Sequence, residues 1–271
     1  MRKFGKKAAA FVLAFGSLAV WGMAAFAASS PVIVSGQGAK RQAEPAAVQS
    51  TQEEAEMAAL NGLGIRLEEL DAAKDPAVEQ LVVVVGNGMD SSQVKLGYYV
   101  KNRENSADWN EEFVVDGYCG HNGMSVDKRE GDRRTPVGTY SFIQAFGTLE
   151  NPGAKLPYKQ LDQYDYWVDD SDSIYYNQMV STRQVEKDWK SAEHLMSVVP
   201  QYRYSLALNY NTQERTPGKG SAIFLHCYHD WKTWTEGCIA IPEANMKPLA
   251  RQLDGAAKIV ILPEVTGAVL E

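Results

Sequence analysis

The sequence predicts a mainly β domain, a barrel or sandwich with only a few helices. Two observations carry this. From residue 80 onward, short β-branched or alternating runs recur between glycine- and proline-bearing turns. Only one stretch of that region has a convincing helical period: Met246, Leu249, Ala250 and Leu253 fall at i, i+3, i+4 and i+7 after Pro242, which favours a first helical turn.

The elements follow in chain order. Residues 1–7 carry Arg2, Lys3, Lys6 and Lys7 without an acid, residues 8–26 are almost wholly apolar, and Ala25-Phe26-Ala27 fits a small-x-small cleavage site. That order predicts a signal peptide over residues 1–27 and an exported, extracytoplasmic protein, cell wall-associated or secreted. The apolar stretch is also long enough to act as an uncleaved anchor. Residues 28–79 read as a tether and short helical segment. Residues 28–50 are small and polar, residues 51–60 (TQEEAEMAAL) are a helical run capped by Thr51, and residues 65–70 form a further turn.

The compact domain is expected over residues 80–271. Its strands are read at 81–85 (LVVVV), 94–100 (VKLGYYV), 112–117 (EFVVDG), 138–142, 204–210 (YSLALNY), 222–225, 239–241 and 257–262, the last stopped by Pro263. Between them lies an aromatic, acidic insert, residues 145–202, read as either a lid or groove or a small secondary core. Its SAEHLM segment looks helical, with His194 structural. No cofactor or metal is expected. Gly86-Asn87-Gly88 lacks a third glycine and a following helix. Cys119 and His121 lack further ligands at zinc spacing. Asp169-Asp170-Ser171-Asp172 lacks the glycine and distal glutamate of a calcium loop.

The chemistry concentrates in residues 221–241, SAIFLHCYHDWKTWTEGCIAI. One apolar run delivers His226 at its end, and a second begins directly after Cys238. Two strand ends therefore each present a reactive side chain, a thiol and an imidazole, which is the pairing that nucleophilic thiol chemistry needs. The bland alternative is a buried cysteine and a core histidine.

This stretch resembles the L,D-transpeptidase family, the YkuD-type peptidoglycan enzymes, in its strand-terminal His226 and in Thr235-Glu236-Gly237-Cys238. A second match, about ninety residues upstream, is Gly131-Asp132-Arg133-Arg134-Thr135-Pro136-Val137-Gly138, similar to the family's Gly-Asp-x-x-Thr-Pro-x-Gly segment. The resemblance covers roughly residues 81–263 and implies a YkuD-like β-barrel or sandwich. It implies a cysteine-dependent acyltransferase that cross-links peptidoglycan stem peptides, donor and acceptor, through a thioester and without a cofactor. Cys238 would be the nucleophile and His226 the base. Gly237 and Thr235 would support the oxyanion and the loop, and the Cys227 carbonyl would orient the imidazole. Arg133 and Arg134 are candidate substrate contacts, and carbapenems would acylate Cys238. The implied thiol has partial thiolate character.

Three departures stand out. The interval from His226 to Thr235 is shorter than usual, which leaves His229 as an alternative base; a strand end is the stiffer platform and favours His226. Ala240 replaces a polar residue two positions after the cysteine, and Cys227 replaces a small one after the histidine. Rival functions are a cysteine L,D-carboxypeptidase or peptidase that only trims stems, and a non-catalytic wall-binding module.

Charge narrows the partners further. The chain carries −7, and −11 once residues 1–27 are removed. Such a domain is a poor match for nucleic acid or an anionic lipid surface, so membrane attachment would depend on an uncleaved first segment. Three cysteines permit a Cys119–Cys227 disulfide with Cys238 free, or three free thiols.

Overall fold

The computed structural model describes residues 61–105, 108–228 and 231–265. The expected signal peptide, the helical run at 51–60 and His229 lie outside the described residues. The strands are β1 (Gln80–Gly86), β2 (Gln93–Lys101), β3 (Trp109–Tyr118), β4 (Met124–Ser125), β5 (Thr135–Pro136), β6 (Gly138–Gly147) and β7 (Tyr158–Gln160). They continue with β8 (Asp165–Val168), β9 (Met179–Ser181), β10 (Ala192–His194), β11 (Ser205–Leu208), β12 (Phe224–Cys227), β13 (Ile239–Ile241) and β14 (Lys258–Leu262). The α-helices are a single turn, α1 (Asp71–Lys74), and α2 (Glu243–Gln252).

The main sheet runs β11-β12-β13-β3-β2-β1-β14-β6-β7, and β11 also pairs with β6. Eight strands therefore close into a ring, with β7 added along the far end of β6. Closure removes the unpaired edges that an open sheet exposes. The mainly β barrel expected from the sequence is the fold observed.

Side-chain alternation along the strands sorts residues between two sides of this ring. Val82 and Val84 of β1 enter the main core with Leu96, Leu225, Ile239 and Ile259. Leu81, Val83 and Val85 face the other way and are covered by Leu63, Ile65, Leu67, Ala72 and Ala73. Residues 63–73, expected within the tether and helical segment, are thus packed onto the barrel. The predicted stripe Met246, Leu249, Ala250 and Leu253 lies on α2 and just after it, each fully buried in the main core.

The aromatic insert forms a second layer. A three-stranded sheet, β10-β8-β9, stands beside the barrel. The Phe146 ring meets Trp167, Tyr202 and Phe224 at centroid distances of 6.5, 5.7 and 5.1 Å. The SAEHLM segment is strand β10, paired with β8, followed by a 3-10 turn (Leu195–Ser197), rather than a helix. Pairing of Glu193 with Trp167 overrides the local helical preference. His194 stacks on Tyr166 and its Nε2 bonds the Gln163 carbonyl at 2.9 Å. Asp170 caps its own turn by accepting from the Asp172 and Lys190 amides. Among the described residues no group of three or more His, Cys, Asp and Glu side chains is arranged to hold a metal ion, and no helix is long and apolar enough to cross a membrane.

Candidate active site

β12 and β13 run parallel as neighbours, with His226 opposite Ala240. Alternation along β12 turns Phe224 and His226 toward the aromatic layer, where the Tyr202 ring lies 5.8 and 5.3 Å from theirs. Leu225 and Cys227 point into the main core. Cys238, one residue before β13, joins Phe224, Tyr202 and Trp167 on the aromatic side. The thiol of Cys238 and the imidazole of His226 therefore line one cleft, of about 210 Å³, with Glu193, Tyr202, Lys232 and Trp234.

The imidazole is held in one tautomer. His226 Nδ1 lies 2.8 Å from the Cys227 carbonyl, and a carbonyl only accepts, so the ring proton sits on Nδ1 and Nε2 is left as a base. Burial pushes the His226 pKa down to about 4, against the raising effect of that carbonyl, and the Lys232 cation lowers it further. The Cys238 thiol donates to the Ala222 carbonyl at 3.1 Å and accepts the Phe224 amide at 3.4 Å. Burial raises its pKa well above the usual thiol range, and the Glu193 carboxylate adds to the rise. Both shifts favour the uncharged forms, a neutral thiol beside a neutral imidazole. Desolvation works against the partial thiolate expected at Cys238 and outweighs the nearby cations. Burial also pushes Cys119 and Cys227 up to about 12, and all three cysteines are free thiols.

The turn that carries the thiol is tied from two sides. Thr235 Oγ1 donates to the Cys238 carbonyl at 2.7 Å and accepts the Gly237 amide at 3.1 Å. Thr135 Oγ1, from β5, accepts the Gly120 amide at 2.9 Å and donates to the Gly237 carbonyl at 2.7 Å. Gly237 has φ +142°, and a Cβ there would stand 2.9 Å from the Arg134 carbonyl; only glycine fits without strain. Behind this turn, the buried Lys128 ammonium meets Asp132 at 2.6 Å. Asp132 also accepts the Arg129 and Arg134 amides. Burial opposes its charge, but these bonds hold its carboxyl below the usual range.

Arg133 and Arg134 are not brought into the cleft lining. Arg133 bonds Glu236 at 2.7 Å and lies over the Trp234 ring, so it contacts two residues of the cleft wall. Arg134 donates to the Met124 carbonyl at 2.8 Å and pairs with Asp90. Cys119 sits behind the site, its thiol on the Ser91 carbonyl, and His121 packs edge-on against Trp234. Sequence reasoning missed Glu193, Tyr202 and Lys232 as cleft residues. Glu193 sat within a segment read as helical, and no motif marks any of the three.

Thr135→Val should strand the Gly120 amide and loosen the Gly237 carbonyl, costing about 1–3 kcal/mol of stability. Urea denaturation checks it; an unchanged midpoint would mean that the hydroxyl does not hold the turn.

A family model described as the L,D-transpeptidase catalytic domain (YkuD) matches residues 79–261. No curated protein matches the chain. Among solved structures, a cysteine-to-serine mutant of an Enterococcus faecium L,D-transpeptidase is similar at 11% identity over 68% of this chain and 50% of that one, with a TM-score of 0.31. Mycobacterium tuberculosis L,D-transpeptidase 1 is similar at 11% identity over 68% and 62%, with a TM-score of 0.29. L,D-transpeptidase 3 of the same organism, in complex with a faropenem-derived adduct, is similar at 12% identity over 67% and 60%, TM-score 0.29. The chain spans about half the length of the Enterococcus faecium protein.

Proposed function

Because the chain belongs to the L,D-transpeptidase (YkuD) catalytic-domain family, we propose that it is an exported peptidoglycan L,D-transpeptidase that cross-links stem peptides through a thioester on Cys238. The observation that carries the reading is the convergence of the Cys238 thiol and a tautomer-fixed His226 in one cleft. Residues 1–27 would direct export, residues 28–79 would link, and residues 80–271 would catalyse.

In the first half-reaction the Cys238 proton passes to His226 Nε2 as sulfur bonds to the carbonyl carbon preceding a terminal D-alanine. Both groups rest neutral, so proton transfer accompanies attack rather than preceding it. The oxyanion requires a fixed donor. Gly237 N–H is already engaged by Thr235, which leaves the Cys238 amide to serve. Collapse breaks the C–N bond, His226 returns the proton to the leaving amine, and D-alanine departs. In the second half-reaction an acceptor amine forms the cross-link, or water releases a trimmed stem. The thioester conserves the energy of the amide, so no nucleotide is needed.

Purified muropeptides read by mass spectrometry test the assignment. The parent protein should give dimers and a single carbapenem adduct on the Cys238 peptide. Cys238→Ala should abolish both, and His226→Ala should slow acylation by about two to four orders of magnitude. An adduct on Cys119 or Cys227, or dimers from Cys238→Ala, would overturn the assignment. A dead His229→Ala beside an active His226→Ala would move the base to His229.

The acylation rate should fall as pH drops through about 4, where the His226 imidazole takes up a proton and can no longer accept one. With the thiol raised by burial, no upward thiolate step is expected between about pH 6 and 9. Rapid-quench mass spectrometry across pH checks this; a step with a midpoint near 8 would contradict the neutral resting pair.

For export, amino-terminal sequencing of the secreted form should begin at Ala28, removed from the cationic, apolar leader. A start at Met1 in the membrane fraction would mean an anchor.

A further inference from the structure

The cleft holds a carboxylate that the first half-reaction does not use. Glu193, half-buried on β10, lines it beside Cys238 and His226, and its carboxylate accepts a hydrogen bond from the Tyr202 hydroxyl. The other two charged groups of the lining are committed elsewhere. Glu236 is neutralised by Arg133, and the Lys232 ammonium lies 4.2 Å from the Trp234 ring centroid. Among the described residues no lysine, arginine or histidine forms a salt bridge with Glu193. Its surroundings are acidic instead: Asp169, Glu130 and Glu236 all act on it with the same sign. One of these, Asp169, keeps a buried carboxylate oxygen without a hydrogen-bond partner among the described residues. Lys232 is the one cation of the lining and makes no salt bridge with Glu193, so this half-buried carboxylate is left able to pair with a positive ligand.

Resting on the transpeptidase reading, we propose that Glu193, positioned by Tyr202, is the acceptor subsite: it binds the side-chain ammonium of the incoming stem and takes its proton before attack on the thioester. The ammonium passes one proton to the Glu193 carboxylate, and the nitrogen lone pair forms a C–N bond to the thioester carbon. Collapse breaks the C–S bond. The second proton of the nitrogen passes to His226 Nε2 and from there to the Cys238 sulfur, restoring the thiol. Glu193 releases its proton to water. Burial, opposed by the Tyr202 bond, pushes the Glu193 pKa up to about 7, which suits a group that must take and lose a proton near neutrality. A carboxylate can activate water as well as an amine, but only the ammonium gains an ion pair with it, and that attraction is what favours transfer over trimming.

The test uses the full chain, a tetrapeptide muropeptide as donor and a tripeptide muropeptide with a free side-chain amine as acceptor. Two quantities are read: the rate of carbapenem adduct formation at Cys238, and the ratio of dimer to trimmed product. Glu193→Gln, which removes a carboxylate that raises the Cys238 thiol, should acylate no more slowly than the parent while its dimer-to-trimmed ratio falls about tenfold or more, with a raised half-saturating acceptor concentration. Glu193→Asp, which keeps the charge, should recover part of the ratio. An unchanged ratio in Glu193→Gln overturns the acceptor assignment alone. Acylation and transfer falling in parallel in both variants overturns it too, assigning Glu193 to the donor half or to the fold. A parent protein that forms the adduct but no dimer removes the transfer reading and the acceptor subsite with it.

Discussion

The hydroxyl of Thr135 is the contact on which the site depends. It accepts an amide N–H from one loop and donates a hydrogen bond to the backbone of the turn that carries Cys238, joining segments more than one hundred residues apart in the chain. Thr235 closes the same turn from within. Together they satisfy backbone groups that would otherwise be buried without partners, a situation folded proteins avoid. The buried Lys128–Asp132 pair stiffens the strap that carries Thr135. The upstream segment resembling the family pattern thus braces the turn that carries the thiol, while its two arginines contact Glu236, Trp234, Asp90 and the Met124 carbonyl.

That scaffold produces an electrostatic state different from a preformed thiolate–imidazolium pair. Low dielectric around Cys238 and His226 disfavours charge on either, so under the proposed mechanism charge would develop only as a substrate carbonyl is attacked. A neutral thiol parked on the Ala222 carbonyl is also protected from adventitious chemistry. Ala222 has φ 54°, a left-handed conformation that a residue with a side chain rarely adopts. Asn177, whose side-chain carbonyl accepts both the Ala222 amide and the Trp167 indole, holds it there. The aromatic layer therefore helps set where the thiol points.

Much of the barrel was legible in the sequence because its strands are short, β-branched and bounded by glycine or proline, as in β1 and β14. Helix α2 was legible because its apolar stripe has the helical period. Cys238 and His226 were legible because each terminates or precedes an apolar run. The aromatic layer was legible only as an insert that forms a lid, a groove or a small secondary core, since its rings bury against the barrel without any sequence period that would choose among these. Glu193 was hidden for the same reason: β10 is a strand only because β8 lies beside it. The commitments of Arg133 and Arg134 needed the fold, as Glu236 is more than one hundred residues away along the chain. The protonation state of Cys238 was equally beyond reach, because burial is a property of the assembled layers.

The ring has a consequence for the order of events in folding. Strand β14 lies between β1 and β6, pairing parallel to the first and antiparallel to the second. Residues near 81 and 258 must find one another before the cylinder can shut, and such distant pairings are slow to form. Until residues 258–262 are available, β1 and β6 each keep an open flank and α2 has no closed wall to seal. A nascent chain would stay loose until residues 258–262 had been made, and the thiol turn would be among the last parts to become rigid.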